Sequence, residues 1–481
     1  MLPTNALYTR KRESAAGRRF RTAQLPQQGS SGYVGSNTIT INIPTAANQL
    51  LIPSESTLNF TLSGTNSSGN EMKYLRWDSC GAHGIIQRLR VYHGSQLLED
   101  IDNYGELAKM LWDFSVPQDA ASGRHTVAGG TRSDYYALPQ TIAADYGADD
   151  TLTRAEIVAG VNRLAPVRPS NSGALIASSV ANSGSIAAKN YSINLISLVG
   201  SLSGGKYIPL FAMTSAPLRV EIQLVASLNA ACACDQTSAN SGSAITWSLS
   251  NVEFIGEYLQ LSDSAISTIV SGSDSPLQWV CPGFANYQFT SALGAGTTQV
   301  NIPVAAKYSS LKGLMTSVRN SAQGVQTATY YPFSSHPFTI NQAYWRIGAN
   351  VLPSKPLANN EEIFIETLKL FGSLSDQLYQ PSIDVESFTL SAPVVATQGE
   401  PDGTGASSAG VGSGAFICGV DLEVFAGSDR DAMFQGINTN TDDIFVVLQF
   451  ASANIASARF DTYAMFDRVI VCENGAAYVR F

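Results

Sequence analysis

The stretch NTITINIP, residues 37–44, is the clearest indication of the fold class, because its side chains alternate strictly in polarity. Its three isoleucines, Ile39, Ile41 and Ile43, are separated by Thr and Asn residues, and Pro44 ends the run. A period of two residues places the isoleucines on one face of a β-strand and the polar residues on the other. The stretch therefore predicts a strand that is buried on one face only.

Similar short runs follow along the whole chain, separated by segments rich in Gly, Ser, Asn and Thr. Many short strands with such turns are typical of a β-sandwich or barrel, so the chain is predicted to be all-β. Two longer segments rich in Ala, Ser and Gly, 116–190 and 391–414, are interpreted as surface loops. Beyond the first strand, strands are predicted near 58–62, 85–91, 191–199, 207–211, 218–225, 245–260, 278–289, 298–304, 311–318, 338–347, 385–390, 416–425, 444–450 and 468–480.

The predicted elements occur twice in the same order. The glycines Gly94 and Gly348 of one matching pair are 254 residues apart, and the prolines Pro44 and Pro303 of another are 259 residues apart. Nearly constant offsets are what a duplicated domain leaves. The matching segments are NTITINIP (37–44) with TTQVNIPV (297–304), RVYHGSQLL (90–98) with WRIGANVLP (345–353), and PLRVEIQL (217–224) with DIFVVLQF (443–450).

Three short helices are predicted at about 104–114, 263–271 and 361–371. Each follows a polar residue that can cap it, and in two cases a glutamate three residues later completes a capping box. These residues are Asn103 with Glu106, Ser262, and Asn359 with Glu362. The helix near the middle of the chain separates the two repeats. The chain is therefore divided into a basic N-terminal arm (1–36), a first sandwich (37–261), a linking helix (262–275) and a second sandwich (276–481).

The composition favours a protein that buries much of its surface against other subunits. Apolar residues make up 44% of the chain and charged residues only 14%, compared with about 25% charged residues in an average soluble domain. The six cysteines are scattered, which fits synthesis in a reducing compartment. No segment has the length of a membrane span or the pattern of a signal peptide, so we expect synthesis in a cytoplasm.

The basic residues are concentrated at the N-terminus, where residues 1–22 carry a charge of +5 and the rest of the chain carries −14. Such an arm can neutralise phosphates in nucleic acid, with a strong dependence on salt. It can also pack on a neighbouring subunit or on an acidic surface, and the sequence leaves these alternatives open. The candidate contact residues are Arg10, Lys11, Arg12, Arg18, Arg19 and Arg21.

The sequence gives no indication of catalysis. It contains no G-x-S-x-G, no H-E-x-x-H and no G-K-[ST] motif. Its four histidines are His83, His93, His125 and His336, and no three or four ligands converge in the sequence pattern as a metal site requires. We therefore predict no catalytic residues, no metal and no cofactor.

Four segments carry a resemblance to a known family: 79–111, 197–224, 252–269 and 467–481. Residues 79–111 are predicted to form a strand, a turn and a capped helix, and residues 197–224 the late strands of the first sandwich. Residues 252–269 are predicted to form its last strand and the linking helix, and residues 467–481 the closing strands of the second sandwich. Together they resemble the double jelly-roll major capsid proteins of double-stranded DNA viruses. Those of polinton-like viruses and virophages are the most similar.

This resemblance implies two tandem eight-stranded antiparallel jelly-roll sandwiches with a few short helices. It implies homotrimers that form pseudo-hexagonal capsomers of an icosahedral virus shell, so the protein would be made in the host cytoplasm and reside in the virion. The partners would be further copies of the chain, penton and minor capsid proteins, and the genome or an inner membrane through the arm. Residues 116–190 would form an outward tower, and the host receptor is left unassigned.

Two other functions fit the same sequence. A minor or vertex capsid protein would also be built from jelly rolls, but vertex proteins usually have only one. A carbohydrate-binding or carbohydrate-cleaving β-sandwich would need a groove of exposed aromatic side chains and, for cleavage, two carboxylates at a fixed separation.

Overall fold

The computed structural model describes residues 17–66, 72–115, 175–180, 184–200, 207–236, 245–272, 276–320, 332–372, 383, 388–389, 414–424 and 435–480. The strands are β1 Gly17–Gln24, β2 Thr38–Ile43, β3 Gln49–Leu51, β4 Thr57–Asn66, β5 Met72–Trp77, β6 Ile86–His93, β7 Gln96–Asp102, β8 Leu175–Val180, β9 Ser185–Ile193, β10 Leu218–Leu224, β11 Cys232–Gln236, β12 Ile245–Leu261, β13 Leu277–Val304, β14 Leu311–Asn320, β15 Ile340–Ile347, β16 Asn350–Leu357, β17 Cys418–Asp421, β18 Ile444–Glu473 and β19 Ala476–Arg480. The helices are α1 Tyr104–Ser115, α2 Asp263–Gly272 and α3 Asn360–Leu370. No helix in the described part of the chain is long and apolar enough to span a bilayer.

The first sandwich consists of two antiparallel sheets. One has the strand order β1-β12-β4-β9 and the other has the order β2-β10-β6-β7. In the second sheet Val220 lies between Ile41 and Val91 in register, and Ile39, Ile41 and Ile43 are all buried. The alternation that predicted β2 therefore points its isoleucines into the core. A smaller sheet, β11-β5-β8, is added to this sandwich.

The second sandwich is built around two long strands, β13 with 28 residues and β18 with 30. Residues 277–291 pair with 458–472, and β14 and β17 extend this sheet. Residues 299–304 pair with 444–449, and β15 and β16 extend the other sheet. Register shifts between Ser291 and Gln299 mark the corner, so each long strand passes from one sheet to the other.

The two sandwiches have the same strand order. The sheet β1-β12-β4-β9 corresponds to 277–291, 458–473, β14 and β17, and the sheet β2-β10-β6-β7 corresponds to 297–304, 444–450, β15 and β16. The matching hairpin glycines Gly94 and Gly348 both have φ +58°. The predicted fold of two tandem eight-stranded antiparallel jelly-roll sandwiches with a few short helices is therefore confirmed.

Three predicted strands are wrong in part. The strand predicted at 191–199 ends at Ile193, because the chain then turns at Ser197 and Val199, which have positive φ. The strand predicted at 207–211 is a single bridge at Ile208 followed by a 3-10 helix. In the strand predicted at 385–390, residues 388–389 are helical instead. In the first two cases an apolar run is buried by tertiary packing without forming a strand, and in the third the buried residue is Phe388, while 385–387 and 390 lie outside the described residues.

The predicted arm also needs correction. Residues 17–24 form β1, which pairs with β12 along its whole length, and Phe20 stacks on Tyr258 with ring centroids 5.4 Å apart. β1 occupies the place that 277–291 occupies in the second sandwich. This part of the segment 1–36 therefore belongs to the first sandwich, because its backbone pairs with β12 and Phe20 packs on Tyr258, while its arginines are exposed. Residues 1–16 lie outside the described part of the chain.

The helix caps agree with the sequence in two of three cases. The Asn359 side chain accepts a hydrogen bond from Glu362 N (2.8 Å), and the Ser262 hydroxyl accepts one from Ala265 N (3.3 Å). The capping box predicted for α1 is wrong, because the Glu106 carboxylate binds Arg319 of the second sandwich instead. Of the predicted loops, residues 116–174 and 391–413 lie outside the described residues, while 175–180 and 185–190 belong to β8 and β9.

Candidate functional site: the interface between the two sandwiches

Helix α1 is the central element of the contact between the two sandwiches. It is buried on every side, with only Trp112 and Ser115 outside the buried class. A helix buried all round must have packed structure on all its faces. The first sandwich covers one side of α1 and the second sandwich covers the other. Charged residues of α1 are therefore buried with it, among them Glu106, Lys109 and Asp113.

The first charged cluster of the interface is centred on Arg319 of β14. Its guanidinium group lies 2.7 Å from Glu106 Oε2 on α1 and 2.6 Å from Asp461 Oδ2 on β18. Arg459 donates two further hydrogen bonds to Asp461, at 2.7 and 3.0 Å. Two arginines thus meet two carboxylates, and the cluster is neutral although it is buried. Asn103, at the start of α1, also donates to Asp461 (3.2 Å).

Burial and the neighbouring arginines act in opposite directions on the pKa values of the two carboxyl groups of this cluster. Burial alone would raise the pKa of Asp461, but Arg319 and Arg459 outweigh it and hold the pKa below its ordinary value. Burial raises the pKa of Glu106, and the Arg319 charge only partly offsets that effect. The difference arises because Asp461 contacts two guanidinium groups at short range and Glu106 contacts one.

A second charged cluster lies where β7 meets the second sandwich. Arg468 of β18 lies 2.7 Å from Glu99 of β7 and donates to the carbonyl of Leu98 (2.7 Å). Both oxygens of the Glu99 carboxylate accept further bonds, from the Ser197 hydroxyl (2.6 Å) and from Val199 N (2.7 Å). The turn that interrupts the predicted strand at 191–199 therefore serves to satisfy a buried carboxylate at the interface.

Aromatic packing joins the helices of the two sandwiches. Phe114 near the end of α1 stacks on Phe371 after α3, with ring centroids 5.0 Å apart. Phe364 of α3 and Phe388 pack against the same side chain. A cavity of about 10 Å³ lies between α1 and the second sandwich, lined by Glu106, Lys109, Met110, Asp113, Ser317, Phe333, Ser335 and 414–417. This volume holds about one water molecule.

The buried ion pairs fix how the two sandwiches are oriented. Bringing charges out of water is costly, so such pairs add little net stability compared with apolar packing. Removing one partner, however, leaves an uncompensated buried charge and costs about 3–5 kcal/mol. Any rotation of one sandwich against the other would separate Arg319 from Glu106 and Arg468 from Glu99. The arrangement therefore favours one rigid relative orientation.

The predicted contact residues of the arm are only partly described. Arg18 donates to Gln260 Oε1 (2.7 Å), and Arg19 binds both Glu257 (3.1 Å) and Glu55. Arg21 is exposed on the same strand. Arg10, Lys11 and Arg12 lie outside the described residues. The structure therefore places three of the six on β1, and two of these three bind acceptors of their own sandwich.

The three described histidines have structural partners, and His125 lies outside the described residues. His83 Nδ1 lies 3.2 Å from the Tyr104 hydroxyl, and His93 Nδ1 accepts a hydrogen bond from Ala477 N (3.0 Å), which joins β6 to β19 across the interface. His336 Nε2 lies 2.9 Å from the Ser334 hydroxyl. Among the described residues, no group of three or more His, Cys, Asp and Glu side chains is placed to hold a metal.

Sequence reasoning missed the residues that form this interface. The sequence pattern predicts Glu106 as part of a capping box, and no role is predicted from it for Glu99. Arg319 follows the apolar strand LMTSV, and Arg468 lies within FDRVIVC. A charged residue inside an otherwise apolar strand was the available signal, since such a residue needs a buried partner.

The chain has the double jelly-roll fold, and solved capsid structures share it over nearly their whole length. A chain of the PBCV-1 virus capsid matches with TM-score 0.60 at 10% identity, covering 98% of this chain and 99% of that one. A chain of the Sputnik virophage matches with TM-score 0.60 at 12% identity, covering 100% and 91%. The mavirus major capsid protein matches with TM-score 0.56 at 10% identity, covering 100% and 93%. No family model matches the sequence, and no curated protein matches it.

Proposed function

We propose that this chain is a major capsid protein, a structural protein whose copies form trimers that tile an icosahedral virus shell. One observation carries the proposal. Two sandwiches of the same strand order are fixed to one another within a single chain by a buried interface. Solved capsid structures match this arrangement over nearly the whole length of the chain. The proposed capsid role depends on the shape of the two-sandwich subunit and involves no catalytic step.

The geometry explains why two sandwiches per chain are useful in a shell. Three copies arranged around a three-fold axis present six similar sandwiches, which is a pseudo-hexagonal outline. A ring of this kind needs the same contact at each step between subunits. Obligate interfaces bury roughly 2,000 Å² or more and are relatively apolar, and a chain with only 14% charged residues suits such burial.

The proposed location is the virion, after synthesis in the host cytoplasm. The proposed partners are other copies of the chain, together with penton and minor capsid proteins where the lattice changes symmetry. Contact with the genome or an inner membrane is assigned to Arg10, Lys11 and Arg12, because Arg18 and Arg19 already bind acceptors on the first sandwich. A chain lacking residues 1–16 is then expected to give particles whose DNA retention depends less steeply on salt.

The oligomeric state of the purified protein tests the main proposal. Native mass measurement is expected to give three times the 51.1 kDa of the chain, and electron microscopy is expected to show six-lobed particles with three-fold symmetry. A monomer at all concentrations contradicts the proposal. Copy number in purified virions separates the major capsid protein, at hundreds of copies or more, from a vertex protein at a few tens.

A further inference from the structure

A buried lysine of the second sandwich lies between two buried carboxyl groups. Lys312 belongs to β14, Asp467 belongs to β18, and Glu423 follows β17. Lys312 Nζ lies 2.8 Å from Glu423 Oε1 and 3.6 Å from Asp467 Oδ1. The exposed fractions of the lysine, glutamate and aspartate side chains are 5%, 1% and 2%. An amine and two carboxyl groups therefore meet almost out of contact with water.

Backbone hydrogen bonds fix the positions of these three side chains. β14 lies between β17 and β18 in the sheet. Asp467 N donates to the carbonyl of Ser310 (2.9 Å), and Leu422 N donates to the carbonyl of Lys312 (2.8 Å). Groups that are held about 3–3.5 Å apart in a suitable orientation react far faster than free groups. The separation of the Lys312 amine from the Asp467 carboxyl group is close to this range.

The charge balance favours a protonated carboxyl group in this cluster. With all three groups ionised, the lysine and the two carboxylates carry a net charge of −1, which is costly to bury. Burial raises the pKa of Asp467, and Ser310 and Lys312 only partly offset that effect. Ser310 Oγ accepts a hydrogen bond from Gly436 N (3.0 Å) and donates its own proton to Asp467 Oδ2 (2.7 Å). The carboxyl group beside the amine is therefore polarised at Oδ2.

We propose that Lys312 and Asp467 condense to an amide within the folded chain, with Glu423 as the group that transfers protons. Glu423 takes a proton from the Lys312 ammonium group and passes it to Asp467 Oδ1, which leaves a neutral amine beside a carboxylic acid. Nζ then forms a bond to Cγ of Asp467, and the bond from Cγ to Oδ1 breaks. Glu423 carries one amine proton to the departing hydroxyl group, so Oδ1 leaves as water.

The atoms and charges of this step balance without an oxidant or a reductant. The products are a secondary amide and one water molecule, and Glu423 returns to its starting state. Negative charge that develops on Oδ2 during the attack faces the Ser310 hydroxyl group, which stabilises it. The reaction occurs once per chain, so it is a self-modification of the protein and not the turnover of a substrate.

Lys109 of α1 provides an internal comparison, because it also lies near two carboxyl groups. Its Nζ is 2.7 Å from Asp113 Oδ2, one helical turn away, and 3.7 Å from Asp78 Oδ1. Asp78 Oδ1 also accepts a hydrogen bond from Ser79 N (2.7 Å). A bond from a backbone N–H group favours the ionised carboxylate, which is a poor target for an amine. Lys109 is therefore expected to stay unmodified.

The mass of the denatured wild-type chain tests the proposal directly. We expect it to be lower than the mass of the sequence by one water molecule. Protease digestion and tandem mass spectrometry are expected to find one branched peptide that joins positions 312 and 467, with Lys109 in unmodified peptides. A chain with no mass loss overturns the proposal, and so does a water loss that maps to any other position.

Two substitutions test the chemistry. Glu423→Gln keeps the shape of the side chain but cannot take up the proton, so the link is expected to form at least about 100-fold more slowly. Asp467→Asn is expected to form the same amide with loss of ammonia, which gives a product of the same mass as the linked wild type. Lys307→Ala, at an exposed lysine 3.1 Å from Asp443, is the control and is expected to keep the full mass loss.

Thermal unfolding gives an independent measurement. A covalent bridge lowers the entropy of the unfolded chain, so Glu423→Gln is expected to unfold at a lower temperature than the wild type. Glu423→Gln that links as fast as the wild type overturns the role of Glu423. The amide does not depend on the capsid proposal: trimers without the link overturn the amide alone, and a linked chain that stays monomeric overturns the capsid proposal alone.

Discussion

Arg319 joins the two sandwiches at the scale of a single residue, because its guanidinium group binds Glu106 from one and Asp461 from the other. Arg319→Ala removes the cation and leaves Glu106 buried without its charge partner. We expect the free energy of unfolding to fall by about 3–5 kcal/mol, measured by urea denaturation of the monomer.

The matched control is Lys307→Ala. Lys307 pairs with Asp443 at 3.1 Å, but both side chains are largely exposed, and solvated pairs of this kind contribute about 0–1 kcal/mol. Equal decreases in the free energy of unfolding for the two variants would mean that the buried cluster does not hold the sandwiches together.

Acid is expected to weaken the same cluster through Asp461. Its pKa in the fold is below the ordinary value of about 3.9, so its ionised form adds stability above that value, and this stability is lost as pH falls through the lower folded pKa. Asp461→Asn is therefore expected to be less stable than the wild type at pH 7, with the gap narrowing below about pH 4. Glu106 has a raised pKa and acts in the opposite direction, which is why the test uses Asp461.

Urea unfolding at a series of pH values measures this gap. Asp443→Asn, at a carboxylate that is 84% exposed, is the control and is expected to follow the wild-type curve. A gap for Asp461→Asn that stays constant from pH 7 to pH 3 would contradict the assignment.

At the scale of elements, β1 shows the difference between an arm and an edge strand. Deleting residues 1–24 uncovers the edge of β12 and removes Phe20 from Tyr258. We expect a loss of about 2–4 kcal/mol, by analogy with the removal of other aromatic side chains, and aggregation through the exposed edge. A chain that lacks only residues 1–16 is expected to unfold like the wild type, so thermal unfolding of the two deletions decides whether β1 is structural.

The two repeat hairpins make a paired prediction. Gly94 and Gly348 both have φ +58°, a conformation that costs a residue with a side chain about 1–2 kcal/mol. Gly94→Ala is expected to lower the free energy of unfolding by about 1–2 kcal/mol. Gly348→Ala is expected to lower it further, because its Cβ would also lie 3.0 Å from Asp442. Gly294→Ala, where no atom lies within 4 Å of the added Cβ, is expected to have no cost in urea unfolding.

The sequence predicted most strands because alternation reports burial on one face, as at Ile39, Ile41 and Ile43. It failed at β1, where three exposed arginines at positions 18, 19 and 21 concealed the period, and at 191–199, where an apolar run folds as a turn around Glu99. The interface was not predicted because pairs such as Arg319 with Glu106 come from distant parts of the chain. Local patterns carry no information on such partners.

At the scale of the whole molecule, the interface predicts that the sandwiches depend on each other. Expressed alone, residues 276–481 would expose Arg319, Phe364 and the groove that holds α1. Co-expressed with residues 1–272, the two pieces are expected to purify together in equal amounts, whereas residues 276–481 alone are expected to be poorly soluble. If the two pieces are each soluble and do not associate, the interface forms only when the two sandwiches are covalently linked, and the prediction is wrong.

The continuous strands β13 and β18 have a mechanical consequence. In the first sandwich the equivalent segments are separate strands, β1 and β2 on one side and β10 and β12 on the other, but in the second sandwich a single strand runs through both sheets. A pull on one sheet of the second sandwich is carried into the other along a single hydrogen-bonded strand, whereas in the first sandwich it must also pass through the segments between the strands. We therefore expect the second sandwich to be the stiffer half of the chain under mechanical load.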